Sequence, residues 1–543
     1  MDVLSEAERR RPLNELHGSR FEEGHDTGTI SLPRPFKQKI KDGIVALSLA
    51  NLCFANAWFT ILYDEDKGYF NKLPIQTSST LALLVNILWL AALVWLGIRV
   101  WRRFRNRLLH FTLHLAFLAL LLVPLDFVRH QIFHISDNRV ALFFQQPVVM
   151  ICSVVLLALM VWQHRRAARA AGVLVAILSP LALSVLVKIL LLLLGVMHLK
   201  QADYEPVLPP LAPVHEGQPR VIWIIFDCTD YRVAFENRPA GVQLPEFDRM
   251  RGESLFCTNA CSPHSSTKSS MPALISGRRI SSVGIANASD LNVQVADTGA
   301  DTTWQKLPSV FAEARALGVN TALVGWYHPY DRILGKGLNY CSWYPFPLFE
   351  PARAKTFSHA MWREIGCIPW SWHIRRIFIG VCHDGLRDSL SLVTNNVYGL
   401  TLLHLPPPHT PGVYLPEKDQ FTFWGMPRKI GYLRNLALAD KELGQIRRAM
   451  EASGQWDKTW LIISADHSLG ATTFGQPDTR VPFIVKPPGA NEAITYSPKI
   501  NTIVTHDLIL AILRGEITGQ RALVPWLDEH GKPLPTTVIG ALD

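Results

Sequence analysis

Four short stretches of this chain carry side chains that can hold a cation, move a proton or attack an electrophile. Asp227 follows the apolar run VIWIIF, with Asp230 three residues on. Residues 262–278 read SPHSSTKSSMPALISGR, a hydroxyl-rich lead into an apolar run. His404 and His409 flank the prolines of HLPPPHTP, and Asp466 and His467 lie together in SADHS. Carboxylates and imidazoles are the mixed oxygen and nitrogen donors that suit a divalent metal. A hydroxyl attacks at neutral pH only when a metal or a base activates it. Taken singly, each stretch has an ordinary explanation: a turn cap, a helix start where Ser or Thr accepts from free backbone N–H groups, or surface histidines. Their occurrence together, in this order, points to one shared site.

The elements around them are those that could bring them together. VIWIIF (221–226) and TWLIIS (459–464) are short β-branched and aromatic runs of the kind that form buried strands. Asp227 and Asp466 lie just past their C-terminal ends, where open α/β sheets bind ligands. Helix-like stretches at 307–317 and 429–452 alternate with short apolar runs such as NTALV (320–324). The alternation predicts an α/β domain over 220–543 with a mostly parallel central sheet flanked by helices. Residues 199–219 are Pro-rich and read as an extended linker.

Upstream the chain changes character, and the 48% apolar composition averages two unlike halves. Five apolar segments, near 43–63, 78–98, 108–128, 141–162 and 171–198, each approach the roughly 20 residues needed to cross about 30 Å of hydrocarbon. They predict a five-helix transmembrane domain over 43–198, after a basic tail over 1–42. The tail holds Arg9, Arg10, Arg11, Arg34, Lys37, Lys39 and Lys41; the second linker holds Arg99, Arg102, Arg103, Arg105 and Arg107, and the fourth Arg165, Arg166 and Arg169. The first linker is acidic at Asp64, Glu65 and Asp66. By the positive-inside rule this alternation puts the N-terminus in the cytosol, and five spans put 220–543 outside. The first segment lacks a small-residue cleavage site and reads as an anchor. The net charge of +9 is concentrated largely in these topological clusters, so nucleic acid is not an expected partner. Lys188 falls inside the fifth span, where it either marks a functional site or simply faces the bundle. Six cysteines lie beyond residue 200, and an oxidising compartment would allow disulfides, with Cys257–Cys261 one local pairing and free buried thiols the alternative.

The four patterns, with QKLPSVFAEARALGVNTALVGWYH (305–328) and THDLILAIL (505–513), resemble the alkaline phosphatase/sulfatase superfamily over about residues 220–515. The likeness is greatest to its membrane-anchored branch of lipid A phosphoethanolamine transferases and lipoteichoic acid synthases. The resemblance implies a nucleophile at a helix start about ten residues before a glycine, which Gly277 puts at Thr267, with Ser270 and Pro272 matching the transferases' Ser-x-Pro. Cys261-Ser-Pro imitates the sulfatase C-x-P-x-R, but its fifth position is Ser265 and it lies six residues too early. Thr267 cannot become formylglycine, which disfavours sulfatase chemistry.

On this reading Asp227, Asp466 and His467 hold a divalent ion and leave one position for the Thr267 oxygen, as in a catalytic zinc site. Zn²⁺ is the expected cofactor, one catalytic ion, with Mn²⁺ the runner-up. His404 and His409 match the transferases' H-x-x-x-x-H-x-P and are expected to hold the phosphoryl group or protonate the leaving alcohol. His328, Lys268 and Asp230 are expected near the substrate. The implied activity moves a phosphoethanolamine or phosphoglycerol group from a phospholipid donor to an envelope glycan or glycolipid, at the outer face of a bacterial inner membrane. A membrane-anchored hydrolase and a non-catalytic lipid-binding regulator are the alternatives.

Overall fold

The computed structural model describes residues 34–63, 68–72, 77–133, 135, 137–197, 207–210, 217–346, 354, 356–469, 474 and 478–537. Arg9, Arg10 and Arg11 of the tail, Asp64, Glu65 and Asp66 of the first linker, and most of the Pro-rich linker lie outside these residues.

The 220–543 half is built on eight strands: β1 (Arg220–Phe226), β2 (Leu255–Cys257), β3 (Thr321–Trp326), β4 (Tyr340–Tyr344), β5 (Leu400–Leu405), β6 (Thr459–Ser464), β7 (Phe483–Lys486) and β8 (Ile494–Tyr496). Their spatial order is β8-β2-β7-β6-β1-β5-β3-β4. The run β6-β1-β5-β3-β4 is parallel throughout, and β7 is antiparallel to both its neighbours. This is the mostly parallel sheet expected. β1 is apolar at every position after Arg220 because both faces are covered. Val221, Trp223 and Ile225 pack with Phe311 and with Leu508 and Ile512 of the helix Thr505–Leu513, while Ile222, Ile224 and Phe226 pack with Leu436 and Leu443 of the helix Arg428–Ala452. Each such buried side chain contributes about 1.5–3 kcal/mol.

Register then does the positioning. Ile225 of β1 pairs with His404 of β5 on one side and Ser464 of β6 on the other. The three strands therefore end together, and Asp227, His404 and Asp466 emerge at one edge.

The N-terminal half is helical. Thr77–Arg103 and Arg107–Ile132 are each long and apolar enough to cross a membrane. Two further pairs qualify only as bent units, Phe36–Cys53 with Ala55–Leu62 (68°) and Pro147–Trp162 with His164–Ile177 (93°), so among the described residues two to four spans are supported, where five were expected. The expected fifth span, 171–198, is divided at Leu178 between the helices His164–Ile177 and Ser179–Leu193. Pro180 sits in the first turn of the second, where its missing N–H costs nothing but cannot continue the helix before it. Lys188 donates to the Leu62 carbonyl at 3.1 Å and lies 3.5 Å from the Tyr63 ring centre, so it faces the bundle.

The two halves interlock. The helix Phe357–Gly366 lies against Thr77–Arg103, where Asn86 Nδ2 donates to Glu364 Oε2 at 2.8 Å. The buried Arg332 donates to the carbonyls of Gly68, Tyr69 and Asn71 in the loop before that membrane helix. No disulfide joins the cysteines; all eight are free. Cys257 ends a core strand, where burial pushes its thiol up, and Cys261 Sγ accepts from Thr479 Oγ1 at 3.8 Å, so the local pairing does not form.

Candidate metal centre

Each donor of the site is anchored through one atom and presents another. Asp227 continues β1, its N–H donating to Leu405 O at 3.0 Å. The chain then turns sharply at Cys228, which has φ +66°. Asp466 Oδ1 accepts from the backbone N–H groups of Cys228 (3.0 Å) and His467 (2.9 Å), leaving Oδ2 to face inward. His467 Nδ1 is 2.7 Å from Ser468 O. A carbonyl only accepts, so Nδ1 carries the proton and Nε2 offers a lone pair. His404 is turned likewise, its Nδ1 2.9 Å from the Tyr330 hydroxyl. Such outer partners are what orient metal-binding imidazoles and carboxylates.

Thr267 comes from another direction. It opens the helix Thr267–Ser276 after Ser266 in extended conformation, and the helix ends at Gly277 in the left-handed region, φ +65°. A Cβ there would meet His506 Cγ at 2.8 Å, which is why a glycine is required. Thr267 is 5% exposed. Its Oγ1 lies 3.3 Å from Asp227 Oδ2 and 3.3 Å from His467 Nε2. His467 Nε2 is in turn 3.5 Å from Asp227 Oδ1 and 3.6 Å from Asp466 Oδ2. Four ligands placed tetrahedrally about 2.0–2.1 Å from one ion stand about 3.3 Å apart. The observed spacings match that cage.

The donor chemistry fits as well. Asp227 Oδ1, Asp466 Oδ2 and His404 Nε2 are buried and make no hydrogen bond, a costly state for groups with no partner. Burial opposes ionisation of Asp227, but the imidazoles of His404, His409 and His467 around it outweigh this and hold the carboxyl down. Burial and the charge of Asp227 push Asp466 up. Two buried carboxylates side by side demand positive charge between them. The residues present fit a divalent cation.

Not every expected site residue is there. His404, expected to be an acid or phosphate contact, has Nε2 3.7 Å from Asp227 Oδ2, and the donor atoms of Asp227, His404 and Asp466 all lie within 4.8 Å of one another. It stands among the candidate donors. His328, expected to touch substrate, is fully buried with both ring nitrogens engaged: Nδ1 with Tyr69 Oη (2.8 Å) and Nε2 with Thr267 O (3.1 Å). Burial pushes it down to about 3, so it is neutral. Asp230, also expected at the substrate, is buried and accepts from Val233 N at 3.1 Å, capping the turn behind the site. Lys268 is half-buried beside Thr267. His409 is half-buried, its Nδ1 2.6 Å from Thr410 O and its ring packed against Trp326 and Phe346.

Three contributors escaped the sequence reading. Tyr330 orients His404. Tyr432 Oη donates to Cys228 O at 3.0 Å and accepts from Asp230 N at 2.9 Å, bracing the Asp227 turn. Tyr69 reaches in from the N-terminal half. No local pattern marks a tyrosine whose task is to brace a neighbour by hydrogen bonding; the GWYHPY run around His328 was the nearest signal.

Residues 400–514 match the family model described as Sulfatase, a stretch that includes His404, His409, Asp466 and His467. Similar solved structures include the PsFucS1 sulfatase from Pseudoalteromonas sp. (15% identity, covering 58% of this chain and 73% of that one, TM-score 0.39). A phosphonate monoester hydrolase from Silicibacter pomeroyi gives 14% identity, 56% and 76% coverage and a TM-score of 0.35. A protein in the alkaline phosphatase superfamily from Vibrio parahaemolyticus gives 13%, 58% and 72%, and 0.37. No curated protein matches the chain. Over residues 400–514, then, this chain matches the sulfatase family model, in line with the resemblance to the alkaline phosphatase/sulfatase superfamily.

Proposed function

We propose that this protein is a membrane-anchored, metal-dependent phosphotransferase that carries a phosphoethanolamine or phosphoglycerol group from a phospholipid to a hydroxyl of an envelope glycan or glycolipid, by way of a phospho-Thr267 intermediate. The observation that carries the reading is Thr267 Oγ1 at 3.3 Å from both Asp227 Oδ2 and His467 Nε2, at the start of a helix. Zn²⁺, with Mn²⁺ as runner-up, held by Asp227, Asp466 and His467 with His404 beside them, would lower the hydroxyl's pKa and polarise the phosphoryl oxygen.

The residues do the rest. The Thr267 hydroxyl points at Asp227 Oδ2, which orients it and receives its proton. Oγ attacks phosphorus, an Oγ–P bond forms, and the P–O bond to diacylglycerol breaks. His409 gives the departing oxygen a proton. Backbone N–H groups of the helix start and the Lys268 ammonium face the phosphate charge. The acceptor hydroxyl then attacks the same phosphorus, returning a proton to His409, and the P–Oγ bond breaks as Asp227 hands its proton back to Oγ, regenerating Thr267.

Apolar helices able to cross a bilayer support a lipid donor met at the membrane surface. The contact of residues 68–72 with the catalytic half, and the arginine-rich linker at the other end of Thr77–Arg103, support a cytosolic N-terminus and a catalytic domain outside, at a bacterial inner membrane. The sulfatase match favours a second reading, in which water takes the phospho group. Full-length protein incubated with head-group-labelled phosphatidylethanolamine or phosphatidylglycerol separates them. Transfer labels Thr267 and then the added glycolipid; hydrolysis releases free head-group phosphate ester. A Thr267→Ala protein that labels as well as wild type refutes both.

A further inference from the structure

The membrane helix Thr77–Arg103 has 27 residues, about 40 Å at 1.5 Å per residue, and its two ends meet unlike surroundings. Its Thr77 end touches the catalytic half. Its Arg103 end meets the first turns of the helices Arg107–Leu120 and His164–Ile177 around a cavity of about 370 Å³. Arg105, Arg107, Arg165 and Arg169 line it, with His110 and His114. No Asp or Glu lines it, and among the described residues none of these four guanidiniums has a carboxylate partner. Their neighbour Arg102 shows the contrast, paired with Asp42 at 2.7 Å. A topological signal needs arginines on a linker. It does not need them on two separate stretches of chain converging on one hollow, where like charges repel.

Two further features mark the hollow as a binding site. His114 is 1% exposed; its Nδ1 faces the His110 carbonyl, and its Nε2 is buried without a partner. That nitrogen accepts from a protonated phosphate oxygen or, once protonated, donates to an ionised one. Trp101 packs edge-on against the His114 ring at 3.9 Å and closes one wall. The same Trp101 begins an apolar groove of about 170 Å³ that runs between Thr77–Arg103 and Arg107–Leu120, lined by Val94, Gly97, Leu113 and Phe117. A basic pocket opening into an apolar groove matches a head-group phosphate and the first part of an acyl chain.

We propose that this pocket and groove bind one anionic phospholipid at the membrane face opposite the catalytic centre, the phosphate among the arginines and His114, a chain along the groove. The site is separate from the Thr267 centre and independent of the chemistry assigned there. Basic pockets between membrane helices are a recognised form of anionic-lipid site.

The test uses full-length protein in neutral detergent, titrated with short-chain phosphatidylglycerol, short-chain phosphatidylcholine and inorganic phosphate, with bound ligand counted by native mass spectrometry. Wild type should retain one phosphatidylglycerol, about tenfold or more tighter than phosphatidylcholine. The triple variant Arg105→Gln, Arg107→Gln, Arg165→Gln changes exposed residues and should weaken it by about tenfold or more. The triple Arg99→Gln, Arg103→Gln, Arg166→Gln removes equal charge outside the pocket and should stay within about twofold of wild type. Gly97→Leu, which fills the groove, should weaken phosphatidylglycerol alone. Equal losses in the two triples, no preference over phosphatidylcholine, or inorganic phosphate binding as tightly as the lipid would each overturn the proposal.

Discussion

Tyr69 Oη lies 2.8 Å from His328 Nδ1, and the opposite nitrogen of that ring lies 3.1 Å from the Thr267 carbonyl. Because a carbonyl only accepts, Nε2 must donate, and Nδ1 then accepts from the tyrosine. The loop between two membrane helices is thus tied, through one neutral imidazole, to the backbone of the proposed nucleophile. A residue of the N-terminal helical half thereby helps to hold the proposed nucleophile.

Tyr69→Phe keeps the ring and deletes this one bond, leaving His328 Nδ1 buried and unpaired. The loss of such a partner costs about 1–3 kcal/mol. Adduct formation at Thr267 should slow about tenfold with little change in KM, read by the rate of labelling from head-group-labelled lipid. An unchanged rate would make the contact merely structural.

His409 is assigned the proton given to the departing alcohol. His409→Ala should lower kcat by about 10²–10⁴-fold on a natural phospholipid. A p-nitrophenyl phosphodiester needs no such proton, so the same variant should lose far less on it. Equal losses on both substrates would place His409 in binding instead.

Removing the cation leaves Asp227 and Asp466 facing each other. Chelation should abolish transfer and lower Tm, and Zn²⁺ should restore both better than Mn²⁺. Asp466→Asn should reduce metal content in the same purified protein, measured by elemental analysis. Full activity at under about a tenth of an equivalent of metal would remove the site from the chemistry.

Asp440, buried behind the helix Pro245–Glu253, accepts from Glu246 N and Phe247 N, and burial pushes its carboxyl up to about 7. The folded state therefore holds a proton that the unfolded chain releases near the ordinary carboxyl value. Its stabilising effect is complete below that ordinary value and is lost as pH rises towards about 7. Asp440→Asn keeps the acceptor oxygen without the charge. Its Tm should match wild type near pH 4 and exceed it increasingly up to pH 8, by an amount reflecting at most a few kcal/mol. Parallel Tm curves would contradict the assignment.

Much of this molecule was legible before folding. Unbroken apolar runs before Asp227 and Asp466 specify strands covered on both faces, and carboxylates just past such strands fall at the binding edge of a parallel sheet. Gly277 marked the end of the helix that Thr267 opens, because only glycine takes φ +65° so close to His506. These are local properties, carried by neighbours in the chain. What only the tertiary structure decided is how distant segments meet. The register of β5 against β1 brings His404 among the candidate metal donors, and burial ties His328 to Tyr69 and the Thr267 carbonyl. The break at Leu178 and the free thiols belong here too, since helix bends and cysteine distances depend on packing that composition does not record. Hydrogen bonds across some 260 residues of sequence leave no periodicity to read, because their partners are selected by the fold rather than by spacing.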